Sequence, residues 1–254
     1  MLLLFILMGM LFGSEGIFKI PFDNFAFAEK LCTIGLIYII FYGGFGTRWQ
    51  TARAVAPKAA LLSSAGTILT AIITGTFCYF FLGFDLLEGM LMGAVLGSTD
   101  AASVFSVLRL RNLALKNNTD SLLEVESGSN DPFAYMLTLI LLSAIHSGVS
   151  LSIREILLLA AGQVFIGLLS GILIALAVRW FFSIFRFEVN GFDAVFIFAA
   201  ALLAYALPSA LGGNGYLSTY LVGIILGNSS IENKKGLVNF FDGITGLMQM
   251  LIFF

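Results

Sequence analysis

Apolar segments of about 20 residues recur along the whole chain, and no other feature limits its fold so strongly. Such a segment crosses a hydrocarbon layer about 30 Å thick as an α-helix, which satisfies its own backbone hydrogen bonds. Of the 254 residues, 59% are hydrophobic and only 11% are charged, which excludes a water-soluble domain. The sequence therefore predicts an all-α, polytopic protein of the cell membrane. Seven complete spans are predicted, at residues 31–46, 59–82, 86–108, 121–145, 156–178, 194–211 and 215–231.

Two shorter apolar segments lie at the ends of the chain, at residues 1–12 and 243–254. A helix of that length covers about 18 Å, which is less than a membrane crossing. We therefore expect two partial helices, in a single transmembrane domain of residues 1–254 that belongs to a longer protein. A signal peptide is not expected, because no basic residue precedes the first segment and no small-residue cleavage site follows it.

The distribution of Lys and Arg predicts the orientation of the spans. Cations are concentrated in alternate connections, and the side of a membrane protein that carries more of them faces the cytoplasm. Lys19, Lys30 and Arg154 are the cations predicted outside. The remaining cations, predicted inside, are Arg48, Arg53, Lys58, Arg109, Arg111, Lys116, Arg179, Arg186, Lys234 and Lys235.

Charge and cysteine content exclude several classes of protein. The net charge is −2, and the 13 Lys and Arg residues form no dense block, so nucleic acid is not an expected partner. Cys32 and Cys78 lie in separate apolar segments, which is typical of isolated thiols and not of a disulfide or a metal site. We expect a protein embedded in a lipid bilayer, with no bound cofactor and no enzymatic activity.

Two aspartates fall in the middle of neighbouring spans. Asp100 ends the run Gly97-Ser98-Thr99-Asp100, and Asp131 lies in the run Glu126-Ser127-Gly128-Ser129-Asn130-Asp131-Pro132. Asp100 lies about 21 Å from the outer start of its segment, and Asp131 lies about 15 Å from the inner start of the next. In an antiparallel pair the two aspartates therefore lie at about the same depth in the membrane. An ionisable group at such a depth is costly, so an ion or proton site is the default interpretation.

We expect both of these helices to be interrupted at the aspartates. Gly97 weakens the first helix, and the hydroxyls of Ser98 and Thr99 compete for its backbone groups. In the second helix Pro132 cannot donate to the carbonyl of Gly128. Freed carbonyls in a membrane are tolerated where they line a cavity, and there they can bind a cation.

The polar side chains of the second aspartate span predict a site built from oxygen ligands. Ser127 and Asp131 are four residues apart, as are Glu126 and Asn130, so each pair shares a helix face. Such oxygens suit a hard monovalent cation, and Na⁺, K⁺ and Li⁺ can all use them. Burial makes an ionised Asp131 costly, so H⁺ and a cation compete for it. Competition at a site that faces one side at a time produces antiport.

These motifs resemble the monovalent cation:proton antiporter superfamily. The matching residues are the runs 97–105 (GSTDAASVF) and 126–132 (ESGSNDP), followed by 213–217 (GNGYL). The bacterial branch of Na⁺/H⁺ or K⁺/H⁺ antiporters, including the cell-volume-regulation type, is similar in the order and spacing of all three.

The resemblance implies a role for each residue. Thr99 and Asp100 would mark an unwound helix, and Asp131 would carry the cation or the proton, with Asn130 as its partner in electroneutral exchange. Ser127 and the backbone of Thr99 would coordinate the cation, supported by Glu126.

The resemblance also implies an architecture of two inverted repeats in a homodimer. This chain would hold one repeat, and the second repeat and any cytoplasmic tail would lie outside it. One departure concerns residues 41–44: relatives often read Phe-Asp-Gly-Gly where this chain has Phe41-Tyr42-Gly43-Gly44, which removes an acid from that helix.

Three alternatives stay open. An intramembrane aspartyl protease also needs two aspartates at one depth, but its Gly-x-Gly-Asp motif is absent from both aspartate runs. A passive cation channel shares the local chemistry, although a channel usually repeats its filter by symmetry. The third alternative is an inactive fragment of an antiporter.

Overall fold

The computed structural model describes residues 2–99, 115–147, 152–185, 191–231 and 233–253, and these ranges contain helices and connections but no strand. The helices are α1 (Leu2–Phe12), α2 (Phe25–Gly46), α3 (Trp49–Leu61), α4 (Thr67–Phe77), α5 (Leu86–Leu96), α6 (Thr119–Ser147), α7 (Ile153–Ile184), α8 (Phe192–Ala210), α9 (Gly215–Gly227) and α10 (Lys234–Phe253). The prediction of an all-α fold is confirmed.

Five of the described helical stretches are long and apolar enough to cross a membrane. They are Phe25–Gly46, Trp49–Leu82, Arg154–Ile184, Phe192–Ala210 and Lys234–Phe253. Large apolar side chains on their outer surfaces are exposed, as expected of residues that face lipid. The chain is therefore a multi-pass membrane protein, as the sequence predicts.

Several predicted boundaries are wrong. The final helix begins earlier than predicted, because α10 runs from Lys234 to Phe253 and is 20 residues long. Its first half contains Lys235 and Asp242, which lowered the local hydropathy and hid the start of the helix. In the opposite direction, α9 ends at Gly227 and has 13 residues, so it is shorter than the segment 215–231 that the apolar pattern indicated.

The second long stretch is a single rod built from α3 and α4. A π-helical turn, Leu62–Gly66, joins the two helices, and a second one, Cys78–Leu82, ends the rod. Arg53 and Lys58 lie within α3 and not in a loop as predicted. A rod of 34 residues measures about 51 Å, so its first turns reach beyond the hydrocarbon and can carry these cations in water.

One set of helices, α2, α7, α8, α9 and α10, packs around aromatic side chains and is called here the aromatic group. Phe41, Phe45 and Phe241 are each at most 2% exposed and form its centre. Glycines bring two of these helices together, since a Cβ atom at Gly223 or Gly227 would collide with the backbone of α2. This group forms the largest buried cluster among the described residues.

Helices α3, α4, α5 and α6 form what we call the site group, and α1 packs against α10. α4 packs along α5, and α6 packs against both α3 and α5. The contact between α4 and α5 also depends on small residues, because a Cβ atom at Gly89 would lie 2.8 Å from the carbonyl oxygen of Gly75. α6 touches α2, α7 and α9 as well, so it joins the two groups.

Candidate functional site

The predicted interruption of the first aspartate span is confirmed up to the limit of the described residues. α5 ends at Leu96, and the N–H of Gly97 closes the last turn on the carbonyl of Ala94 at 3.3 Å. Ser98 and Thr99 then lie outside any helix. At 11 residues α5 measures about 16 Å, which brings these two hydroxyls to the interior of the membrane. Asp100 lies outside the described residues.

The predicted interruption of the second span is wrong. α6 runs without a break from Thr119 to Ser147 and contains Pro132. A proline removes one donor from a helix, but a membrane helix tolerates this where neighbouring groups satisfy the backbone. Here the side-chain amide of Asn214 donates to the carbonyl of Pro132 at 2.7 Å. This bond joins the start of α9 to α6 beside the proline, whereas the carbonyl that lacks its helical donor is that of Gly128.

The connection after α5 and the polar residues of α6 form one hydrogen-bond network. Asn130 Nδ2 donates to Thr99 Oγ1 at 2.6 Å, and Thr99 Oγ1 donates to Ser127 Oγ at 3.2 Å. Ser127 Oγ in turn donates to Glu126 Oε2 at 3.3 Å, while Asn130 Nδ2 also reaches Glu126 Oε1 at 3.3 Å. Four of the six predicted site residues are thus in direct contact.

Asp131, the predicted carrier, accepts a hydrogen bond from the hydroxyl of Ser98. It lies 12 residues from the start of α6, about 18 Å along the helix and about 24 Å from its end. Its side chain is half-buried, whereas Ser127 and Asn130 beside it are 2% and 1% exposed. The carboxylate therefore stands at the edge of a buried oxygen cluster.

One buried oxygen in this cluster has no partner. Asn130 Oδ1 is buried and accepts no hydrogen bond. A buried carbonyl oxygen without a donor costs free energy, about 1 to 3 kcal/mol, unless it binds water or an ion. A cation near Asp131 could use this oxygen together with the hydroxyls of Ser127 and Thr99. This donor set fits a hard cation.

A cavity of about 230 Å³ adjoins the network on the side of α3 and α4. Thr99 and Glu126 line it from the site, and Gly66, Thr67 and Thr70 line it from the rod. The hydroxyls of both rod threonines are bonded to carbonyls of their own helix, four residues earlier. The π-helical turn Leu62–Gly66 therefore lies directly beside the candidate site, a location where such turns are frequent.

Two contacts of the site and one contact outside it were not predicted from the sequence. Ser98 belongs to the run 97–100, but its position there does not predict its bond to Asp131. Asn214 was part of a matching motif, and its bond to Pro132 requires knowledge of the fold. The hydroxyl of Tyr42, at the position that departs from the family pattern, donates to Asp242 Oδ1 at 3.1 Å. An acid thus stands beside residues 41–44 after all, supplied by α10.

The sequence model of a family described as sodium/hydrogen exchanger, transmembrane, matches residues 1–254. The chain is 35% identical over 254 residues to the K(+)/H(+) antiporter NhaP of Alkalimonas amylolytica, covering 99% of this chain and 44% of the relative. It is 34% identical to the K(+)/H(+) antiporter NhaP2 of Shewanella oneidensis, again covering 44% of the relative. The chain thus spans less than half the length of these relatives.

Solved structures show the same fold. The sodium proton antiporter MjNhaP1 from Methanocaldococcus jannaschii at pH 8 matches with a TM-score of 0.79 and 24% identity, over 99% of this chain and 63% of that one. A second structure of that protein, from electron microscopy, matches with a TM-score of 0.75 and 26% identity, over 98% and 62%. The helices described above are therefore arranged as in a membrane antiporter.

Proposed function

This chain belongs to the transmembrane sodium/hydrogen exchanger family, and on that premise we propose that it takes part in secondary active transport. The exchange is of a monovalent cation, K⁺ or Na⁺, for H⁺ across the cell membrane. Relatives named as K⁺/H⁺ antiporters are 34–35% identical to the chain, and one named as a probable Na⁺/H⁺ antiporter is 27% identical. K⁺ is accordingly the first cation to test.

The observation that carries the proposal is the position of Asp131. Its carboxylate lies mid-helix, bonded to Ser98, beside a network in which the buried oxygen of Asn130 has no partner. A cation can bind between the carboxylate, that amide oxygen and the hydroxyls of Ser127 and Thr99. When the cation leaves, a proton on the same carboxylate restores neutrality.

Competition for one carboxylate accounts for obligatory exchange. An ionised aspartate inside a membrane protein is strongly disfavoured without a partner. The empty site therefore changes slowly from facing one side of the membrane to facing the other, while the site loaded with a cation or a proton changes readily. Asn130 contributes an amide where a second carboxylate would add charge, which makes one cation for one proton an electroneutral cycle. Glu126 supports the site by accepting from Asn130 and Ser127.

Two further roles are proposals from the family resemblance. Asp100 would lie at the unwound helix beside Thr99. Residues 1–254 would form part of one transport domain, which a second inverted repeat completes and which assembles as a homodimer. The activity then belongs to the complete gene product that carries this chain.

The test measures exchange in everted membrane vesicles from cells that express this complete gene product. With a pH-sensitive dye that reports the pH inside the vesicles, added K⁺ or Na⁺ should dissipate a preformed pH gradient. Asp131→Asn should abolish this dissipation of the pH gradient, because an amide can neither take up a proton nor neutralise the cation. The control is Asp85→Asn, which changes an exposed aspartate in the connection before α5.

Two results would refute the proposal. Dissipation of the pH gradient by added cation in the Asp131→Asn variant would show that another group carries the ion. Cation flux in the unchanged protein that is independent of the proton gradient would indicate a passive channel in place of an antiporter.

A further inference from the structure

One buried hydroxyl near the site contributes nothing to the packing around it. Tyr220, on α9, is 4% exposed, and its hydroxyl has no hydrogen-bond partner. A buried hydroxyl without a partner destabilises the folded state relative to a hydrogen atom in its place. The fold by itself would therefore favour phenylalanine here, and the hydroxyl of Tyr220 needs a different explanation.

The ring of Tyr220 lies directly against the helix that carries Asp131. A Cβ atom added at Gly128 of α6 would lie 2.8 Å from Cε2 of the ring and 2.9 Å from the hydroxyl oxygen. The ring can approach this closely only because residue 128 has no side chain. The hydroxyl is therefore held at the surface of α6, one turn from Asp131.

The hydroxyl also faces the correct side of α6. Glu124, Gly128 and Asp131 follow the spacing i, i+4 and i+7, which places them on one face of the helix. Both carboxylates are near enough to interact electrostatically with the phenol group. Asp131 stands at the border of this face, because it also contacts Ser98 on the other side.

On its opposite side Tyr220 is fixed to the aromatic group. Its carbonyl oxygen packs against Gly44 of α2, where any Cβ atom would collide with it. Thr47, at the end of α2, lies near the phenol, but its own hydroxyl donates to Gly43 O at 2.9 Å. Tyr220 thus presents a hydroxyl from the aromatic group to the site helix.

We propose that Tyr220 is a positioning residue for the exchange site, whose hydroxyl donates a hydrogen bond to the Asp131 carboxylate while that carboxylate is between ions. This inference rests on the proposed exchange at Asp131. In the structure the carboxylate is bonded to Ser98, and Tyr220 has no partner. When an ion leaves, the Asp131 carboxylate can turn from Ser98 to the Tyr220 hydroxyl.

Such a contact would speed exchange without strengthening cation binding. A hydrogen bond made only in a short-lived intermediate raises the maximal rate and changes the half-saturating concentration little. A bond present equally in the bound state would change that concentration instead. The rate and the half-saturating concentration therefore distinguish this role from cation ligation.

The experiment compares Tyr220→Phe with the unchanged protein in the vesicle assay and in thermal unfolding. We expect the maximal exchange rate to fall about tenfold, as for the loss of one hydrogen bond to a charged group. The half-saturating cation concentration should change by less than about threefold. The unfolding temperature should stay the same or rise, because the variant removes an unpaired buried hydroxyl.

Tyr38→Phe is the matched control. Tyr38 is fully buried in the aromatic group, but its hydroxyl donates to the carbonyl of Phe198 at 3.3 Å. This variant should lower the unfolding temperature and leave the exchange rate of the folded protein unchanged. Tyr220→Phe is therefore expected to lower the exchange rate without loss of stability, whereas Tyr38→Phe is expected to lower stability without loss of exchange.

Glu124→Gln tests the other carboxylate on the same face. We expect exchange at nearly the normal rate. If this variant reproduces the loss seen in Tyr220→Phe, the hydroxyl serves Glu124 and the assignment to Asp131 is wrong.

Failure of the inference is distinguishable from failure of the proposed function. If the unchanged protein exchanges ions, Asp131→Asn is inactive and Tyr220→Phe is normal, only the role of Tyr220 is refuted. If Tyr220→Phe loses stability as Tyr38→Phe does, its hydroxyl is structural. If the unchanged protein shows no coupling of cation to proton, the proposed function itself fails.

Discussion

The aromatic group and the site group solve the problem of burial in different ways. In the aromatic group, large rings such as Phe41 and Phe241 fill the interior, and glycines let the backbones approach. In the site group, side chains of the described residues bond to each other around the buried Asn130, including Asn130 to Thr99 and, at the exposed edge, Ser98 to Asp131. In the aromatic group, the bond from Tyr42 to Asp242 is exposed.

This difference indicates where stability and function reside. Inside a membrane, close packing of side chains is a main source of attraction between helices, since the lipid is as apolar as the protein interior. The aromatic group provides such packing. A buried polar network adds little net stability, because its members lose solvation on burial. The site group retains one, and the exchange proposed at Asp131 would use it.

The largest effect on stability is expected from Phe41→Ala. Phe41 is fully buried, with its ring centroid 5.0 Å from that of Phe241 and 5.7 Å from that of Phe45. Removing the ring leaves a cavity and should lower the free energy of unfolding by about 3 to 5 kcal/mol. Thermal unfolding of the purified protein in detergent measures this change.

The control for that variant is Phe80→Ala, which removes a ring that is 73% exposed at the end of the rod. It should have little effect, because lipid or detergent replaces the lost contacts. Equal destabilisation by both variants would show that the aromatic centre has no special part in holding the fold.

An intermediate effect is expected at Asn214, which links the two groups. Its Oδ1 accepts from the N–H of Leu217 and caps α9, while its Nδ2 donates to the carbonyl of Pro132 in α6. Asn214→Ser can keep the cap but cannot reach Pro132, so it should cost about 1 kcal/mol. Asn214→Ala loses both bonds and should cost about 1 kcal/mol more.

Chemical unfolding of the two variants checks this order. If serine and alanine are equally destabilising, the cap contributes nothing. If serine matches the unchanged protein, the bond from Asn214 to Pro132 contributes nothing to the link between α9 and α6.

The smallest effect is expected from Tyr42→Phe. This variant removes the bond from the Tyr42 hydroxyl to the exposed carboxylate of Asp242 and should cost about 0.5 kcal/mol or less. The exchange rate in vesicles should stay within about twofold of normal, since an interaction this weak corresponds to a small change in rate. A loss of exchange would mean that the functional polar groups extend into the aromatic group, and the division between the two groups would no longer hold.

The accuracy of the sequence predictions varied with how local each feature is. The end of α5 followed from Gly97, Ser98 and Thr99, because helix propensity depends on adjacent residues. The shared face of Glu126 and Asn130 followed from their spacing, and the two side chains are bonded. Which of these groups exchange ions stays a prediction.

The errors arose where the chain forms a helix through residues that are locally unfavourable. Pro132 predicted a break in α6, but the helix is continuous from Thr119 to Ser147. The start of α10 was set too late because Lys235 and Asp242 are polar. Hydropathy records the side chains alone, whereas the helix continues for as long as its backbone can pair.

The sequence by itself determined the membrane class, the helical fold and the helix that carries Asp131. These follow from hydropathy, helix periodicity and the cost of buried charge, which act within one segment. Only the tertiary structure decided that Ser98 donates to Asp131, that Asn214 donates to the carbonyl of Pro132 and that the ring of Tyr220 packs against Gly128. Each of these contacts joins residues on different segments, so it depends on how closely the helices approach one another. No local sequence pattern encodes the distance between two helices.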